Sequence, residues 1–395
     1  MRPEGAAWER AAEVREAAEG WLRAGAVDRP THEAIENAYP DPCVTPSAVW
    51  RILTAVMVTA VALCALGAVW IATGQPGETG LSVLLVVFAG ASLVVTERLE
   101  ASPRFARRGA AGATSFWGSV FFLVGLALFL HEQLRIRSDP AFDAVLLASV
   151  LVWGAGCWRW GHPLFAGLSA VSLFYLLGRL PLGRVLWVLA GAALAGLAAR
   201  RLDDASWAPS HRRAAMVLVV TGVAAVYGAV NVYSLDARWL EELRRFGPRR
   251  PGPPPGVFVV AAIATAGLPL GVLAWAWRSR RTFLLDTGIV LFALSLVTLR
   301  HYVHVAPLWV VLTVSGAALI ALALVAERAL RRSPNGERAG LTADALFSDE
   351  RRQQLLQTVP VVAAFTPAAQ AAAVDKPGFA GQGGTFGGGG ASEKF

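Results

Sequence analysis

The sequence predicts an all-α fold, a polytopic bundle of transmembrane helices. Three observations lead there. The chain is 55% hydrophobic with a mean hydropathy of +0.49. Only 16% of its residues are charged, where a soluble globular chain carries about a quarter. Between residues 48 and 326 apolar runs recur, broken by short polar hinges, and each run approaches the ~20 residues that a helix needs to cross ~30 Å of hydrocarbon.

The composition also narrows the function classes. The net charge is +8 and the pI about 10.1. The basic residues are nearly all arginine, since lysine occurs only at Lys376 and Lys394. These arginines sit in clusters between apolar runs, where they set topology and meet headgroups, so no nucleic-acid partner is expected. Cys43, Cys64 and Cys157 are scattered, which gives neither a disulfide framework nor a metal site. The charged stretch 1–40 lacks the apolar core of a signal peptide, so the first span is expected to direct insertion.

Taken in order, residues 5–24 place Ala7, Ala11, Val14, Ala18, Trp21 and Leu22 on one face and mostly charged residues on the other, the pattern of an amphipathic helix. Gly25 suits its end, and Asp28 followed by Pro30 starts a shorter helix that stops before Pro40 and Pro42. Together they predict a helical hairpin, residues 1–45, at the mouth of the membrane domain.

About ten spans are expected over residues 46–332: 48–73, 81–96, 110–130, 143–157, 163–178, 181–199, 213–234, 257–277, 282–302 and 306–326. The second, fourth and fifth are short, so a re-entrant pair would lower the count to nine or eight. Residues 235–256 read as an interfacial amphipathic helix, with Leu235, Trp239, Leu240, Leu243 and Phe246 on one face, followed by a proline-rich return. A short cytoplasmic helical segment is expected within 333–365, and the Gly/Ala/Pro-rich stretch 366–395 is expected to be disordered.

Arginine clusters at 104–108, 200–201, 212–213, 278–281 and 328–332 fall on the side of the hairpin. The opposite side carries Arg135, Arg137, Arg179, Arg184, Arg300 and five more in the 235–256 loop. The positive-inside rule therefore favours both termini in the cytoplasm.

Ionisable residues in a span are costly and are candidate sites by default. Asp286 lies one turn into the ninth span, within reach of Arg278, Arg280 or Arg281. The structural alternative is a first-turn carboxylate that meets the helix dipole and snorkels to those arginines. His301 and His304 share a face in an HxxH spacing, though no third ligand is near, and an interfacial anchor is the plainer reading. His131 and Glu132 end the third span, and Tyr227 and Asn231 lie late in the seventh. With the two histidines they would form a polar outer rim. Gly267, Pro269 and Gly271 make a GxxxG pattern around a proline, for close helix packing or a kink. Trp153, Trp158, Trp160 and Trp187 read as packing or interface residues. No catalytic or cofactor motif occurs, and none of the usual nucleotide, hydrolase or metalloprotease signatures is present.

Two stretches carry resemblances. Trp21, Leu22, Gly25, Ala26, the Asp28 restart and Ile35 to Tyr39, just ahead of a many-span block, resemble bacterial multi-spanning inner-membrane proteins of unknown function that begin with a short cytoplasmic helical domain. That resemblance implies a bacterial inner-membrane location and no assigned reaction. The ending Gly383, Gly384, Thr385, Phe386, Gly387 to Gly390, Ala391, Ser392 is similar to the glycine-rich terminus of TPM-domain membrane proteins, although Glu393, Lys394 and Phe395 depart from its usual finish. It implies a shared tail-reading partner or a membrane-quality-control role, without phosphatase activity.

The expected function is accordingly a scaffold or sensor in the lipid bilayer, whose hairpin and tail contact protein partners. The alternative is a secondary transporter or channel with a polar site near Asp286 or the outer rim. An intramembrane enzyme has the least support, since spacing pairs no nucleophile with a base.

Overall fold

A computed structural model describes the chain from Pro3 to Tyr302, apart from residues 24–25, 44–46, 75–76, 104–108, 133, 137, 205 and 233–254, and only isolated positions from there to Thr342. The chain divides into two units, Met1–Arg23 with Val27–Val303, and Ala24–Ala26 with His304–Phe395. In the second unit the described residues include a minimal antiparallel pair, Glu337–Arg338 with Leu341–Thr342. Only isolated helical positions of the expected tenth span are described, and the 235–256 loop helix, the helix near Ser348 and the tail lie outside the described residues.

Among the described residues of the first unit every regular element is a helix. The hairpin consists of α1 (Pro3–Arg23) and α2 (Arg29–Ala38). Asp28 caps α2 by accepting a hydrogen bond from the Thr31 amide at 3.1 Å, with Pro30 in the first turn where a missing N–H costs nothing. That carboxyl group is held below its ordinary pKa by the Thr31 hydrogen bonds. Arg15 reaches across from α1 to Glu36 of α2 at 2.7 Å.

Among the described residues nine apolar helices follow: α3 (Ala48–Ala72), α4 (Glu78–Glu100), α5 (Ala110–Glu132), α6 (Ser138–Trp160), α7 (Pro163–Gly178), α8 (Gly183–Leu202), α9 (Pro209–Val230), α10 (Pro255–Ser279) and α11 (Thr282–Tyr302). Among the described residues eight of these are long and apolar enough to cross a bilayer, and α7 is a shorter apolar helix of 16 residues. The second and fourth spans are longer than their apolar runs suggest, because each helix continues through charged ends that find partners. Glu97 on α4 meets Arg159 on α6, and Asp143 on α6 meets Arg179 after α7. The seventh span starts earlier and ends earlier than its apolar run. Pro209 opens it, and the backbone turns extended at Asn231.

Successive helices from α3 to α11 alternate in direction, so the bundle has two ends. The proximal end carries the hairpin, the ends of α4, α6, α8 and α10 and the starts of α3, α5, α7, α9 and α11. The distal end carries the opposite termini.

Two packed groups share the unit. In one, Leu85 and Ala89 of α4 pack on Phe121 of α5, with Ala62 and Leu66 of α3 against them. In the other, α9 is the hub. Its Val219, Val223 and Tyr227 meet Ala195 and Ala198 of α8, Val272 and Ala276 of α10, and Leu284 and Leu291 of α11. Its Ala225 meets Ala170 and Phe174 of α7. Helix α6 joins the groups through Trp153, which stacks on Phe116 of α5 and tilts against Phe165 of α7.

Helices α8 and α9 approach each other closely through glycines. A Cβ on Gly191 would stand 2.7 Å from the Gly222 carbonyl oxygen, and one on Gly222 2.6 Å from that of Gly191. Small residues let membrane helices approach in this way. The expected GxxxG contact does not form among the described residues: around Gly267 and Gly271 an added Cβ would meet open space, and Pro269 is buried inside an otherwise continuous helix.

Large apolar side chains line the outside of the spans, among them Val87, Val94, Leu151, Leu189, Val260, Ile263 and Val290. A continuous apolar exterior of this kind needs lipid around it. No residue of the apolar window of α3 is buried, against 44% of that of α9.

Candidate functional site

A polar cluster lies at the proximal end, built from the ends of four helices and the face of α1. Helix α4 delivers Glu97 and Glu100. Helix α6 delivers Arg159 and Trp160, then turns at Gly161 with φ of +70° into His162 and Pro163, which open α7. Glycine is needed at 161 for that backbone and for space, since a Cβ there would lie 2.6 Å from Ser210 Oγ and 2.8 Å from His211 Nδ1. Helix α9 starts at Pro209 and presents Ser210, His211 and Arg212.

Glu97 accepts a forked pair of hydrogen bonds from Arg159, Nε to Oε1 at 2.9 Å and Nη2 to Oε2 at 2.8 Å, and a third from Trp160 Nε1 at 3.2 Å. The planar guanidinium matches the carboxylate and fixes α4 against α6. Beside it His162 Nε2 stands 3.8 Å from Glu100 Oε1. That contact is too long for a hydrogen bond, and Nε2 is buried with no hydrogen-bond partner among the described residues. A carboxylate at this distance would favour the imidazolium. Burial opposes it and wins, with the His211 charge adding to it, so the His162 pKa lies below its ordinary value. The edge of the Phe165 ring closes the apolar side of the imidazole, 5.4 Å between centroids. The His211 ring bridges Ser210 Oγ at 3.4 Å and the Trp158 carbonyl at 3.0 Å.

Helix α1 clasps this end of α9. Ala208, at the cap position of α9, offers no side-chain acceptor. Glu9 supplies one by accepting a hydrogen bond from the Ser210 amide at 3.0 Å. Arg212 donates to Glu13 at 2.6 Å, and Arg10 donates to the Ser206 carbonyl at 2.9 Å. The negative charges of Glu9 and Glu13 lie where the α9 N-terminus has unsatisfied N–H groups and the positive end of its dipole.

A second polar cluster lies inside the distal half. Ser295 Oγ on α11 donates toward the Thr265 and Leu291 carbonyls, at 2.6 and 2.9 Å. Its single proton is thereby used, so Tyr227 donates to it across 3.0 Å. Thr265 Oγ1 donates to the Ala261 carbonyl at 2.7 Å and accepts from the Val232 amide at 3.1 Å. Asn231 Nδ2 donates to Thr298 Oγ1 at 3.3 Å. This network satisfies the backbone where α9 unwinds and ties α9 to α10 and α11.

The structure thus brings Tyr227 and Asn231 together, with Thr265, Ser295 and Thr298 as partners. It does not bring His131 and Glu132 to them. Those two lie on α5, which packs on α3, α4 and α6, and form an exposed pair 3.7 Å apart. The side chain of His301 and all of His304 lie outside the described residues. Asp286 is on an exposed face of α11. Arg281, one of its expected partners, donates instead to Asp203 at 2.6 Å. Among the described residues no three His, Cys, Asp or Glu side chains gather as a metal site requires. Of the tryptophans, Trp153 is buried packing, Trp158 is exposed, and Trp160 and Trp187 spend their indole N–H groups on Glu97 and the Phe174 carbonyl.

Sequence reasoning passed over Glu9, Glu97, Glu100, His162 and His211. One signal pointed to them: acidic residues and two histidines at span ends that otherwise carry arginine.

The fold and its exterior are those of an integral membrane protein, with eight helices of spanning length and composition among the described residues. The chain matches no family model, no curated protein and no solved structure.

Proposed function

We propose that the protein is a membrane scaffold or sensor in which the N-terminal hairpin is held by, and reports on, the helix bundle. The single observation that carries this reading is the clasp of Glu9, Arg10 and Glu13 on the start of α9. Helix α9 touches α7, α8, α10 and α11, so any repacking of those spans reaches the helix that holds the hairpin. The hairpin exposes Trp21 and Tyr39, an aromatic surface suited to a protein partner, and the tail is a second proposed contact.

The proximal end faces the cytoplasm in this reading. Arg98, Arg159, Arg200, Arg201, Arg212, Arg213, Arg278, Arg280 and Arg281 gather there, in keeping with the positive-inside rule. The proposed compartment is a bacterial inner membrane, from the layout of hairpin and spans.

Transport is less well supported. Asn231 and Tyr227 spend their polar groups on neighbouring helices, and Asp286 faces away from the packed helices.

The test is site-specific photo-crosslinking in cells from positions 21 and 39, with Leu134 at the distal end as control. Discrete adducts at 21 and 39 that vanish in a Glu9→Ala/Glu13→Ala variant are expected. Absence of adducts at both, together with an ion or solute flux in vesicles that Asn231→Ala abolishes, would replace the scaffold by a transporter.

A further inference from the structure

We propose that the proximal half of the bundle holds a binding site for an anionic phospholipid, with one acyl chain in the groove between α7 and α8 and the phosphate at Arg200 and Arg201. Helices α7 and α8 meet at their distal ends. There the Trp187 indole N–H donates to the Phe174 carbonyl at 2.5 Å, and a Cβ on Gly183 would touch the Leu177 carbonyl oxygen. Toward the proximal end they diverge, with α9 as the floor and α6 beside α7.

The opening is a groove of about 690 Å³, within the ~300–1,000 Å³ of small-molecule sites. Ala170 and Leu173 of α7, Leu194 and Leu197 of α8 and Ala214 and Leu218 of α9 line its length. From Leu194 to Arg201 it runs seven residues along α8, ~10 Å at 1.5 Å per residue. Its walls offer almost nothing polar. Ser169, which lines it, is already donating to the Val150 carbonyl at 2.9 Å. A water-filled or sugar-binding cleft would need free donors and acceptors there.

The mouth has the opposite character. Arg200 and Arg201 end α8, both exposed, and Trp158, Trp207 and His211 complete the rim. Arg201 lies over the Trp207 ring at 5.4 Å, with Asp204 3.7 Å away, and these contacts hold it at the rim. Trp158 is 76% exposed, as an indole at the headgroup level would be. Leu197, 62% exposed, marks the open lateral side through which a chain enters from the leaflet.

An apolar trough at chain depth that ends in two guanidinium groups and two indoles at headgroup depth matches one ligand class, an acyl chain with an anionic head. A soluble anion would use the mouth and leave the trough empty. A zwitterionic lipid would use the trough without the charge match. The site does not depend on the scaffold role.

The test uses the full chain in nanodiscs with a phosphatidylglycerol bearing a photoactivatable acyl chain, and mass spectrometry to map the adducts. Labelling is expected at Leu173, Leu194, Leu197 and Leu218, several-fold above the exposed face of α3, and is competed by unlabelled phosphatidylglycerol but weakly by phosphatidylcholine or free glycerol phosphate. The Arg200→Gln/Arg201→Gln variant, whose side chains are exposed and leave the core intact, should lose the preference for phosphatidylglycerol over phosphatidylcholine by at least about fivefold. Leu173→Trp, which fills the trough, should lower groove labelling with both lipids. Adducts spread evenly over the apolar surface, an arginine double variant with unchanged preference, or protection of the groove by a segment of this chain or a second copy in the absence of lipid would each overturn the proposal.

Discussion

The carboxylate of Glu9 caps a helix that begins 200 residues later: it accepts the Ser210 amide proton at 3.0 Å at the start of α9. Ala208 leaves that helix end without a local acceptor, so the N-terminal hairpin completes it. The hairpin and the hub of the bundle are therefore one mechanical unit. Undocking the hairpin leaves the Ser210 amide at the start of α9 without this acceptor.

Glu9→Ala removes the cap, which costs ~1 kcal/mol and raises the population of undocked hairpin about fivefold. Limited trypsin digestion at Arg10, Arg15 and Arg23 should accelerate by that factor while the detergent-solubilised bundle keeps its Tm. An unchanged cleavage rate would mean that the clasp holds nothing.

His162 gives the protein an acid-sensitive point. Its folded pKa is below the ordinary value, so at pH just under ~6.5 the unfolded chain takes up a proton that the folded one refuses. Stability from this group is present above that pH and is lost as pH falls toward the folded pKa. Relative to the parent, His162→Phe should therefore lose less stability as pH falls from 7.5 to 5.5, read as the difference in Tm between the two proteins at each pH. Glu100, 3.8 Å from the ring, and His211 remain in both proteins. A variant with the same pH slope as the parent would remove His162 as the cause.

The α8–α9 contact has no room to give. Gly191→Ala and Gly222→Ala each push a methyl group into a facing carbonyl and should cost ~1–3 kcal/mol, read as a lower denaturation midpoint. Gly196→Ala, on the same helix with no atom within 4 Å of an added Cβ, should be neutral or slightly stabilising. Equal effects at Gly191 and Gly196 would contradict this packing.

In the distal network the two hydroxyls have unequal duties. Tyr227→Phe removes one donor from Ser295, which keeps its bonds to the Thr265 and Leu291 carbonyls, and should cost ~1 kcal/mol. Thr265→Val leaves the buried Val232 amide without its acceptor and should cost more, up to ~3 kcal/mol. The opposite ranking in thermal denaturation would refute the proton assignment.

The succession of apolar helices from α3 to α11 was readable because a period of about twenty apolar residues survives any packing arrangement. Their ends were not, since Glu78, Asp139 and Arg159 look like loop residues until a partner or an interface makes room for them in a helix. Asp286 stood out in the sequence as a charge inside an apolar run, yet it lies on an exposed face of α11. Tyr227 and Asn231 stood out as polar residues late in a span, and the partners that give them meaning, Thr265, Ser295 and Thr298, are common residues on other helices. The proximal cluster depends on a contact between residues 9 and 210, a juxtaposition that no local pattern contains.

The sidedness of the bundle is the claim on which the rest stands, and sided thiol labelling measures it. With Cys43, Cys64 and Cys157 replaced, single cysteines at Ser102 and Ser206 should react with an impermeant maleimide from the face that bears the hairpin, and those at Leu134 and Leu180 only from the opposite face. Labelling of all four from one face of a sealed membrane, or a protein that needs no membrane to stay in solution, would contradict the account.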